Sequence, residues 1–330
     1  MRVLTIGKND AGQRLDKFLQ KTLKTLPMPL LYKSIRKKKI KVNRGRCEPG
    51  QILCEGDTVQ LFLAEEFFTD PEGEQAFLHL TPRISVVYED ENILLVEKKP
   101  GMIVHSDDEQ STDTLIDHVK AYLYRKGEYD PEAEQSFAPA LCNRIDRNTG
   151  GIVIAAKTAE GLRVMNEKIR LGQVRKKYLL AAHGHFAERE GYYHGWIIKN
   201  GEENKVQVYR EKPRFGDPKE CKTLYRVLRE KGEGEGDEVL TLLEAELLTG
   251  RTHQIRAQFS AAGHPLLGDG KYGVNKSDRE MGYKFQALYA YRISFPFEGE
   301  DGVLSNLRGR HFQVADEGIY FLKEFDDGER

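Results

Sequence analysis

One aspartate stands in a setting that suits a reactive group. Asp146 lies between Arg144 and Arg147, and the run Thr149-Gly150-Gly151 allows a tight backbone turn before an apolar strand. Turn chemistry alone explains most aspartates in such positions. A carboxylate on a tight loop that is held by a buried strand is, however, also how a protein presents a catalytic group rigidly. The segment therefore predicts that Asp146 carries the chemistry.

A second polar segment, residues 247–256, has the pattern of a strand, a glycine turn and the start of a helix. Its ordinary interpretation is a capped helix with surface arginines, because apolar residues at helical spacing provide a core face. So many different donors at one helix start also indicate a binding site. The candidates in this segment are Arg251, His253, Gln254 and Arg256.

Two further patterns do not predict a cofactor site. Residues 151–158 approach the phosphate-binding motif G-x-x-x-x-G-K-[ST], but Ala156 replaces the second glycine and the apolar interior favours a buried strand. We expect Thr158 to cap the following helix instead. The histidines form no tight ligand pattern, so His253 and His264 are expected to be polar contacts or core groups. No metal and no cofactor are predicted.

The charge of the chain is divided very unevenly. Residues 14–46 hold twelve Lys or Arg against one acid, whereas the whole chain has a formal net charge of −1, so the remainder carries −12. A solvated helix is the usual interpretation of a basic run, but this one lies within a compact pattern of two helices and short strands, where phosphate contacts give sequence-independent affinity. We expect Pro27 and Pro29 to end the first helix. The expected RNA contacts are Arg14, Lys17, Arg36, Lys37 and Lys38.

The chain is expected to form two modules: residues 1–65, a polar linker at 66–82, and residues 83–330. In the larger module, short β-branched runs alternate with helical patterns, which predicts an α+β fold with a mixed, largely antiparallel sheet. The glycine-rich stretch 231–236 is expected to be a surface loop. Four scattered cysteines and no apolar run of about 18 residues favour a cytoplasmic chain with reduced thiols and no membrane association. The strands are expected near 84–88, 93–97, 152–156, 178–182 and 239–247, and the helices near 114–125, 159–170 and 253–262.

Both modules resemble known proteins. Residues 14–19, 42–43 and 56–57 resemble the small α/β RNA-binding domain named for ribosomal protein S-four. Residues 84–296 resemble the RluA-type pseudouridine synthases through five motifs in family order, which lie at 88–105, 143–151, 176–178, 249–256 and 263–269. The resemblance implies the pseudouridine synthase fold, Asp146 as catalytic aspartate, Tyr178 as active-site tyrosine and Arg256 as the arginine paired with the aspartate.

The resemblance also implies how the RNA is held. Arg144 matches an arginine that fills the space of the flipped nucleotide, while Arg147 and Lys176 are expected to contact RNA. The chain departs from the family pattern, which more often has histidine, aspartate, serine and histidine, at Asn143, Asn148, Gly150 and Tyr289 respectively. We expect these departures to concern RNA contacts.

The implied reaction converts uridine to its isomer pseudouridine and needs neither redox cofactor nor nucleotide energy. A neighbouring guanidinium favours the ionised carboxylate, which can attack the base, attack the sugar or remove a proton. The expected substrate is large-subunit ribosomal RNA, with transfer RNA next, for a monomer without an obligatory protein partner. The alternatives are a non-catalytic RNA-binding or ribosome-assembly protein and, less favoured, a hydrolase using Asp146 with His253.

Overall fold

The computed structural model describes residues 1–68, 76–105, 113–200, 205–232, 239–273 and 276–326. The strands are β1 (Arg2–Thr5), β2 (Ile40–Val42), β3 (Thr58–Leu61), β4 (Ser85–Glu89), β5 (Ile93–Lys98), β6 (Ala140–Leu141), β7 (Gly150–Ala156), β8 (Arg175–His183), β9 (Glu190–Asn200), β10 (Lys205–Tyr209), β11 (Lys219–Lys231), β12 (Leu240–Leu247), β13 (Leu288–Ser294) and β14 (His311–Gln313). The α-helices are α1 (Leu15–Thr22), α2 (Met28–Arg36), α3 (Leu115–Arg125), α4 (Ala159–Arg170), α5 (Gln254–Ala261) and α6 (Lys276–Glu280).

The N-terminal residues form a small unit with its own core. Strands β1, β3 and β2 pair antiparallel in that order, and α1 and α2 bury Leu15, Phe18 and Leu31 against them. The prediction that Pro27 and Pro29 end the first helix is wrong in detail, because α1 already ends at Thr22. The two prolines instead begin α2, with Pro27 as its N-cap, at positions where a missing backbone N–H costs nothing.

The larger sheet has eleven strands, nine of them along the path β10-β9-β11-β12-β8-β13-β7-β5-β4. All pairs are antiparallel except β13 with β7, which are joined in parallel by Tyr289 opposite Gly150 and Ala290 opposite Gly151. The predicted α+β fold with a largely antiparallel sheet is confirmed, as are the expected strands that became β4, β5, β7, β8 and β12. The sequence interpretation did not include β6, β9, β10, β11, β13 and β14.

Alternate side chains of the central strands enter two cores on opposite faces of the sheet. On β8, Tyr178 and Leu180 pack with α3 and α5 on one face, whereas Leu179 and Ala181 pack with α4 on the other. The segment that approaches the phosphate-binding motif contains a buried strand, as predicted, because every residue of β7 is buried. Thr158 caps α4 as predicted and accepts a hydrogen bond from Gly161 N at 3.0 Å.

The N-terminal unit is anchored to the larger part by a polar contact. The Asp10 side chain accepts hydrogen bonds from Ser136 N at 3.1 Å and Ser136 Oγ at 2.5 Å. Gln13 Nε2 donates to Ser136 Oγ at 2.7 Å, and Asn9 Nδ2 donates to Glu134 Oε1 at 2.7 Å. The small basic unit is therefore held in one orientation by side chains that lie 120 or more residues away in sequence.

Two predicted loop segments lie partly outside the described residues. In the expected linker 66–82, residues 69–75 are not described, and Phe77 is buried against Tyr129 with ring centroids 5.9 Å apart. In the glycine-rich stretch 231–236, residues 233–236 are not described, and Lys231 is the last residue of β11. Within the ranges given above, no helix has the length and apolar character to cross a bilayer.

Candidate active site

Asp146 sits on a turn between β6 and β7 that is hydrogen-bonded on both sides. The Asp146 carbonyl accepts from Thr149 N at 3.0 Å, which closes the turn. Before the turn, Asn143 Oδ1 accepts from Ile154 N at 2.8 Å and so attaches the approach to β7. The Asp146 side chain remains 25% exposed. The turn therefore holds the carboxylate firmly while leaving it open to a substrate.

Arg256, in the first turn of α5, joins Asp146 to a second, fully buried carboxylate. Its Nη1 donates to Asp146 Oδ2 at 2.8 Å. Its Nε and Nη2 donate to the two oxygens of Asp269 at 2.7 and 2.8 Å. Asp269 also accepts from the backbone N–H groups of Lys271 and Tyr272 at 3.0 and 3.2 Å. This bidentate pair fixes the plane of the guanidinium, so that its remaining edge can only face Asp146.

The charges in this network reinforce one another. Burial acts to lower the pKa of Arg256, but its hydrogen bonds and ion pairs with Asp269 and Asp146 outweigh it and raise that pKa above the ordinary value. Burial likewise acts to raise the pKa of Asp269, yet the bonds from Arg256 hold it below its usual range. Arg256 is thus a permanent cation, and Asp269 a permanent anion, beside the Asp146 carboxylate.

Lys98, at the end of β5, supports the same turn from inside the protein. Its side chain is fully buried, and Nζ donates to the carbonyl oxygens of Arg147, Met102 and Lys99 at 2.8, 3.0 and 3.2 Å. Burial lowers the pKa of Lys98 to about 7, although the negative charge of Asp146 opposes the shift. Because Arg147 is the residue after Asp146, Lys98 links the turn that carries Asp146 to β5.

Tyr178 and His253 border the carboxylate. Tyr178 projects from β8 and is 6% exposed; burial, together with the charge of Asp146, raises the pKa of its phenol. His253 Nε2 lies 3.9 Å from Asp146 Oδ2, and its Nδ1 is 2.8 Å from the Tyr272 hydroxyl. Burial lowers the pKa of His253, with Asp146 partly opposing. The predicted trio of Asp146, Tyr178 and Arg256 is thus brought together around one carboxylate.

Gln254 is expected to contact RNA, but the structure buries its side chain. It is 2% exposed, and its Nε2 donates to Lys222 O and Thr223 Oγ1, each at 2.9 Å. Its Oε1 accepts from Thr249 Oγ1 at 2.8 Å and from Arg251 N at 3.1 Å. Direct readout of RNA by Gln254 is therefore excluded in this conformation, and its bonds instead fasten the start of α5 to β11.

The remaining predicted RNA contacts are at or near the surface. Arg144, Arg147 and Arg251 are exposed, and Lys176 is half-buried, with a pKa that burial lowers. Arg251 Nε donates to Glu220 O at 3.0 Å. In the N-terminal unit, Lys17, Arg36, Lys37 and Lys38 are exposed, and Arg14 holds the buried Asp16 through two hydrogen bonds at 3.0 and 2.7 Å.

Three of the departures from the family pattern are part of the scaffold. Asn143 binds the backbone of β7 as described above. Gly150 lies under the ring of Tyr289, where an added Cβ would be 2.2 Å from the nearest ring carbon. The Tyr289 hydroxyl donates to Glu97 Oε1 at 2.6 Å. At these three positions we expected RNA contacts, but the structure explains the residues by their packing and hydrogen bonds within the protein.

Sequence reasoning assigned no role to Asp269, Lys98 or Tyr272. Asp269 and Lys98 each stand in a motif that was recognised, but nothing in the residue pattern shows that the first binds Arg256 or that the second is buried. Tyr272 accepts from Val206 N at 2.8 Å and lies with its ring centre 5.2 Å from the Arg256 guanidinium carbon. Over the described stretches, no three His, Cys, Asp or Glu side chains group as metal ligands.

Comparisons with known proteins agree with this geometry. Residues 92–261 match the family described as RNA pseudouridylate synthase. The chain is 30% identical to ribosomal large subunit pseudouridine synthase C of Yersinia pestis over 304 residues, which cover 90% of this chain and 88% of that protein. It is 29% identical to the Escherichia coli K12 protein of the same name over 314 residues, or 92% of this chain and 91% of that one.

Solved structures agree on the fold. Human RNA pseudouridylate synthase domain containing 4 superposes with a TM-score of 0.54 at 19% identity, over 72% of this chain and 92% of that one. Human RNA pseudouridylate synthase domain containing 1 gives a TM-score of 0.51 at 22% identity, over 72% and 93% of the two chains. The chain belongs to the RNA pseudouridylate synthase family.

Proposed function

We propose that this protein isomerises uridines to pseudouridines in large-subunit ribosomal RNA, with Asp146 as the reacting carboxylate. The observation that carries the proposal is the position of Asp146 in a chain of this family. It is open to solvent, yet it is hydrogen-bonded to an arginine that Asp269 prevents from turning away. The names of the relatives described above support ribosomal RNA as the substrate.

The reaction breaks the glycosidic bond, turns the uracil and joins it again through carbon. A carboxylate takes part only in its ionised form, whether it attacks the base, attacks the sugar or removes a proton. Arg256 provides a counter-charge that is largely shielded from water, since the residue is only 7% exposed. Because Arg256 also neutralises Asp269, the three groups together keep one negative charge, which is placed where the substrate arrives.

Tyr178 is the proposed partner of the extruded base. Its ring borders the Asp146 carboxylate and offers a stacking surface for uracil. Burial raises the pKa of its phenol, so the hydroxyl stays protonated and can donate a hydrogen bond, or relay a proton at the new carbon linkage.

Arg144 is the proposed residue that fills the gap left in the RNA. A uridine must leave its stack to reach a carboxylate in a pocket, at a cost of a few kcal/mol. Arg144 stands two residues before Asp146 and is exposed. Its planar guanidinium can stack in the vacancy and recover part of that cost.

The N-terminal unit is proposed as the module that grips the RNA. We assign residues 1–65 to an RNA-binding domain of the S-four type, 66–82 to a linker and 83–330 to the catalytic domain, in a monomer that acts in the cytoplasm. The exposed cations Lys17, Arg36, Lys37 and Lys38 support phosphate binding. The polar contact around Asp10 supports a fixed geometry between grip and active site.

Asp146→Ala is the test of the catalytic role. Purified wild type and variant are incubated with a large-subunit ribosomal RNA transcript, and pseudouridine is measured by mass spectrometry of the digested RNA. We expect no pseudouridine from the variant and nearly unchanged RNA affinity, because Asp146 contributes chemistry and not phosphate contact. Asp217→Asn is the matched control, since that carboxylate is 82% exposed and pairs with Lys219 at 2.9 Å.

Activity of Asp146→Ala at the wild-type level would contradict the assignment. If the wild type is inactive on ribosomal transcripts and active on transfer RNA, the substrate is transfer RNA and the assignment of Asp146 is unchanged. Pseudouridine maps of total RNA from cells with and without the gene decide between these substrates, and identical maps favour a non-catalytic RNA-binding protein.

A further inference from the structure

A cavity of about 460 Å³ lies beside Lys99 and Pro100, the two residues that follow β5. Three aromatic rings line it, those of Tyr283, Phe285 and Tyr320. Three cations line it as well: Lys99, Lys284 and Lys323, all of them exposed. The network around Asp146 described above meets this set only at the Lys99 carbonyl, which accepts from Lys98 Nζ at 3.2 Å.

Two residues next to the cavity lining are hydrogen-bonded to the turn that carries Asp146. Gly101 follows the lining residue Pro100; its N donates to Arg147 O at 2.9 Å, and its O accepts from Arg147 Nε at 3.2 Å. Gln286 follows the lining residue Phe285; its Nε2 donates to Thr149 Oγ1 at 3.1 Å, and its O accepts from the Tyr320 hydroxyl at 2.7 Å. The cavity therefore adjoins the segments that hold this turn.

The lining has the chemistry of a site for one nucleotide. Aromatic faces stack on any base, and lysines bind phosphate as point charges. Phe285 and Tyr320 are partly exposed and provide the stacking surface, while Tyr283 is buried, with Lys323 Nζ 5.5 Å from its ring centre. The acid nearest to Lys99 is Glu97, at 2.8 Å, and it also accepts the Tyr289 hydroxyl, so its charge is shared. The volume lies in the range of sites that enclose small ligands.

We propose that this cavity binds an unpaired nucleotide of the RNA substrate close in sequence to the target uridine, with its base against the rings and its phosphate on Lys284 and Lys323. The inference rests on the proposed function, because it takes RNA as the occupant. Holding a second unpaired nucleotide stabilises the opened form of the RNA, and so favours extrusion of the target. The cavity thus favours RNA in which a second nucleotide close to the target uridine is unpaired.

The binding test uses methionine methyl groups as reporters in the full-length protein. Met281 lines the cavity and is 51% exposed, Met102 lies by Lys98 and the catalytic turn, and Met165 is fully buried. Uridine 5′-monophosphate is titrated into protein labelled at its methionine methyls, and spectra are recorded by NMR. We expect a saturable shift of the Met281 resonance that ribose 5-phosphate and uridine alone do not reproduce, and that Lys284→Glu with Lys323→Glu abolishes.

An unmoved Met281 resonance would overturn the proposal, and so would an equal shift with ribose 5-phosphate, which would mean a phosphate site without a base. A shift confined to Met102 means binding at the catalytic turn alone and also overturns it. The Met165 resonance stays in place in every case in which the fold is unchanged.

The kinetic test uses the same double variant on ribosomal RNA. We expect KM to rise about 10-fold with kcat unchanged, since the cavity contributes binding and does not touch the reacting atoms. Arg163→Glu with Arg170→Glu is the control, because it reverses two exposed charges on α4, and no α4 residue lines the cavity. An equal rise of KM in the control would indicate general electrostatic attraction and refute the cavity. These results do not depend on Asp146→Ala, which tests the proposed function separately.

Discussion

Gly150 and Tyr289 form a packed pair next to the turn that carries Asp146, and a substitution at Gly150 should show how tightly they pack. In Gly150→Ala the new Cβ would lie 2.2, 2.7 and 2.8 Å from three carbons of the Tyr289 ring. Non-bonded carbons prefer about 3.5–4.0 Å, so the ring must retreat by roughly 1.5 Å. Tyr289 is fully buried and its hydroxyl is bonded to Glu97 at 2.6 Å. The ring therefore cannot move without losing that bond.

The expected cost follows from these two effects. Overpacking a core costs about 1–3 kcal/mol, and a hydrogen bond to a charged group contributes about 1.5–3 kcal/mol. Gly150→Ala should thus lower the free energy of unfolding by about 3–5 kcal/mol, the two estimates combined. In a Tyr289→Ala background the space is free, and the same change should cost less than about 1 kcal/mol. The coupling between the two positions is then at least about 2 kcal/mol.

Urea unfolding of the wild type, both single variants and the double variant measures this coupling. Gly250→Ala is the matched control, since an added Cβ there meets no heavy atom within 4 Å. Gly150→Ser should also reduce kcat, because the added side chain displaces the backbone next to Thr149, whose N–H closes the turn that carries Asp146. Adding Tyr289→His should restore much of the lost kcat, since the smaller ring makes room. Equal costs of Gly150→Ala in the presence and absence of the Tyr289 ring would refute the reasoning.

Three further changes test other parts of the site. Asp269→Asn should lower kcat by about 10- to 100-fold and the free energy of unfolding by about 3 kcal/mol, because the buried guanidinium loses its fixed counter-charge. A single-turnover rate constant equal to that of the wild type would contradict this. Lys98→Met should remove a pH dependence of the free energy of unfolding. The pKa of Lys98 is about 7 when folded, below its ordinary value of 10.5, so the unfolded chain holds the extra proton between these values, and the stability of the wild type relative to the variant should rise with pH there by up to about 1.4 kcal/mol per unit. Urea curves at pH 7 and 9 that keep the same difference would show a lysine that stays protonated. Asp10→Ala should speed amide exchange at residues 134–136, because it removes two hydrogen bonds to the N-terminal unit; unchanged exchange would mean that the contact is held elsewhere.

The sequence was sufficient for those parts of the fold and site that repeat a local pattern. Strong periodicity placed α3 and α4 within a residue of their observed bounds. The pairing of Arg256 with Asp146 followed from the family resemblance, and the two side chains do meet, although 110 residues separate them.

What could not be predicted depends on direction and long-range packing. Gln254 and Arg256 lie two residues apart, yet the first is fastened to β11 and the second reaches Asp146, because the helix points them to different partners. Donor-rich composition does not distinguish these cases. Pro27 and Pro29 were assigned to the wrong helix because a proline signals a boundary, and either an end or a beginning satisfies that signal.

The parallel pairing of β13 with β7 is a weak connection within the sheet, and its loss would disrupt the active site. Only two residue pairs connect these strands, and Gly151 passes so close to Ala290 that a Cβ there would be 2.3 Å from its carbonyl oxygen. Asp146 belongs to the part of the sheet on the β7 side, whereas Tyr178 and Arg256 belong to the part on the β8 side. A small separation of β13 from β7 would move Asp146 away from Tyr178 and Arg256, while each part of the sheet keeps its own hydrogen bonds. Enzymatic activity should therefore respond to a separation of β13 from β7 that a spectroscopic measure of strand content does not detect.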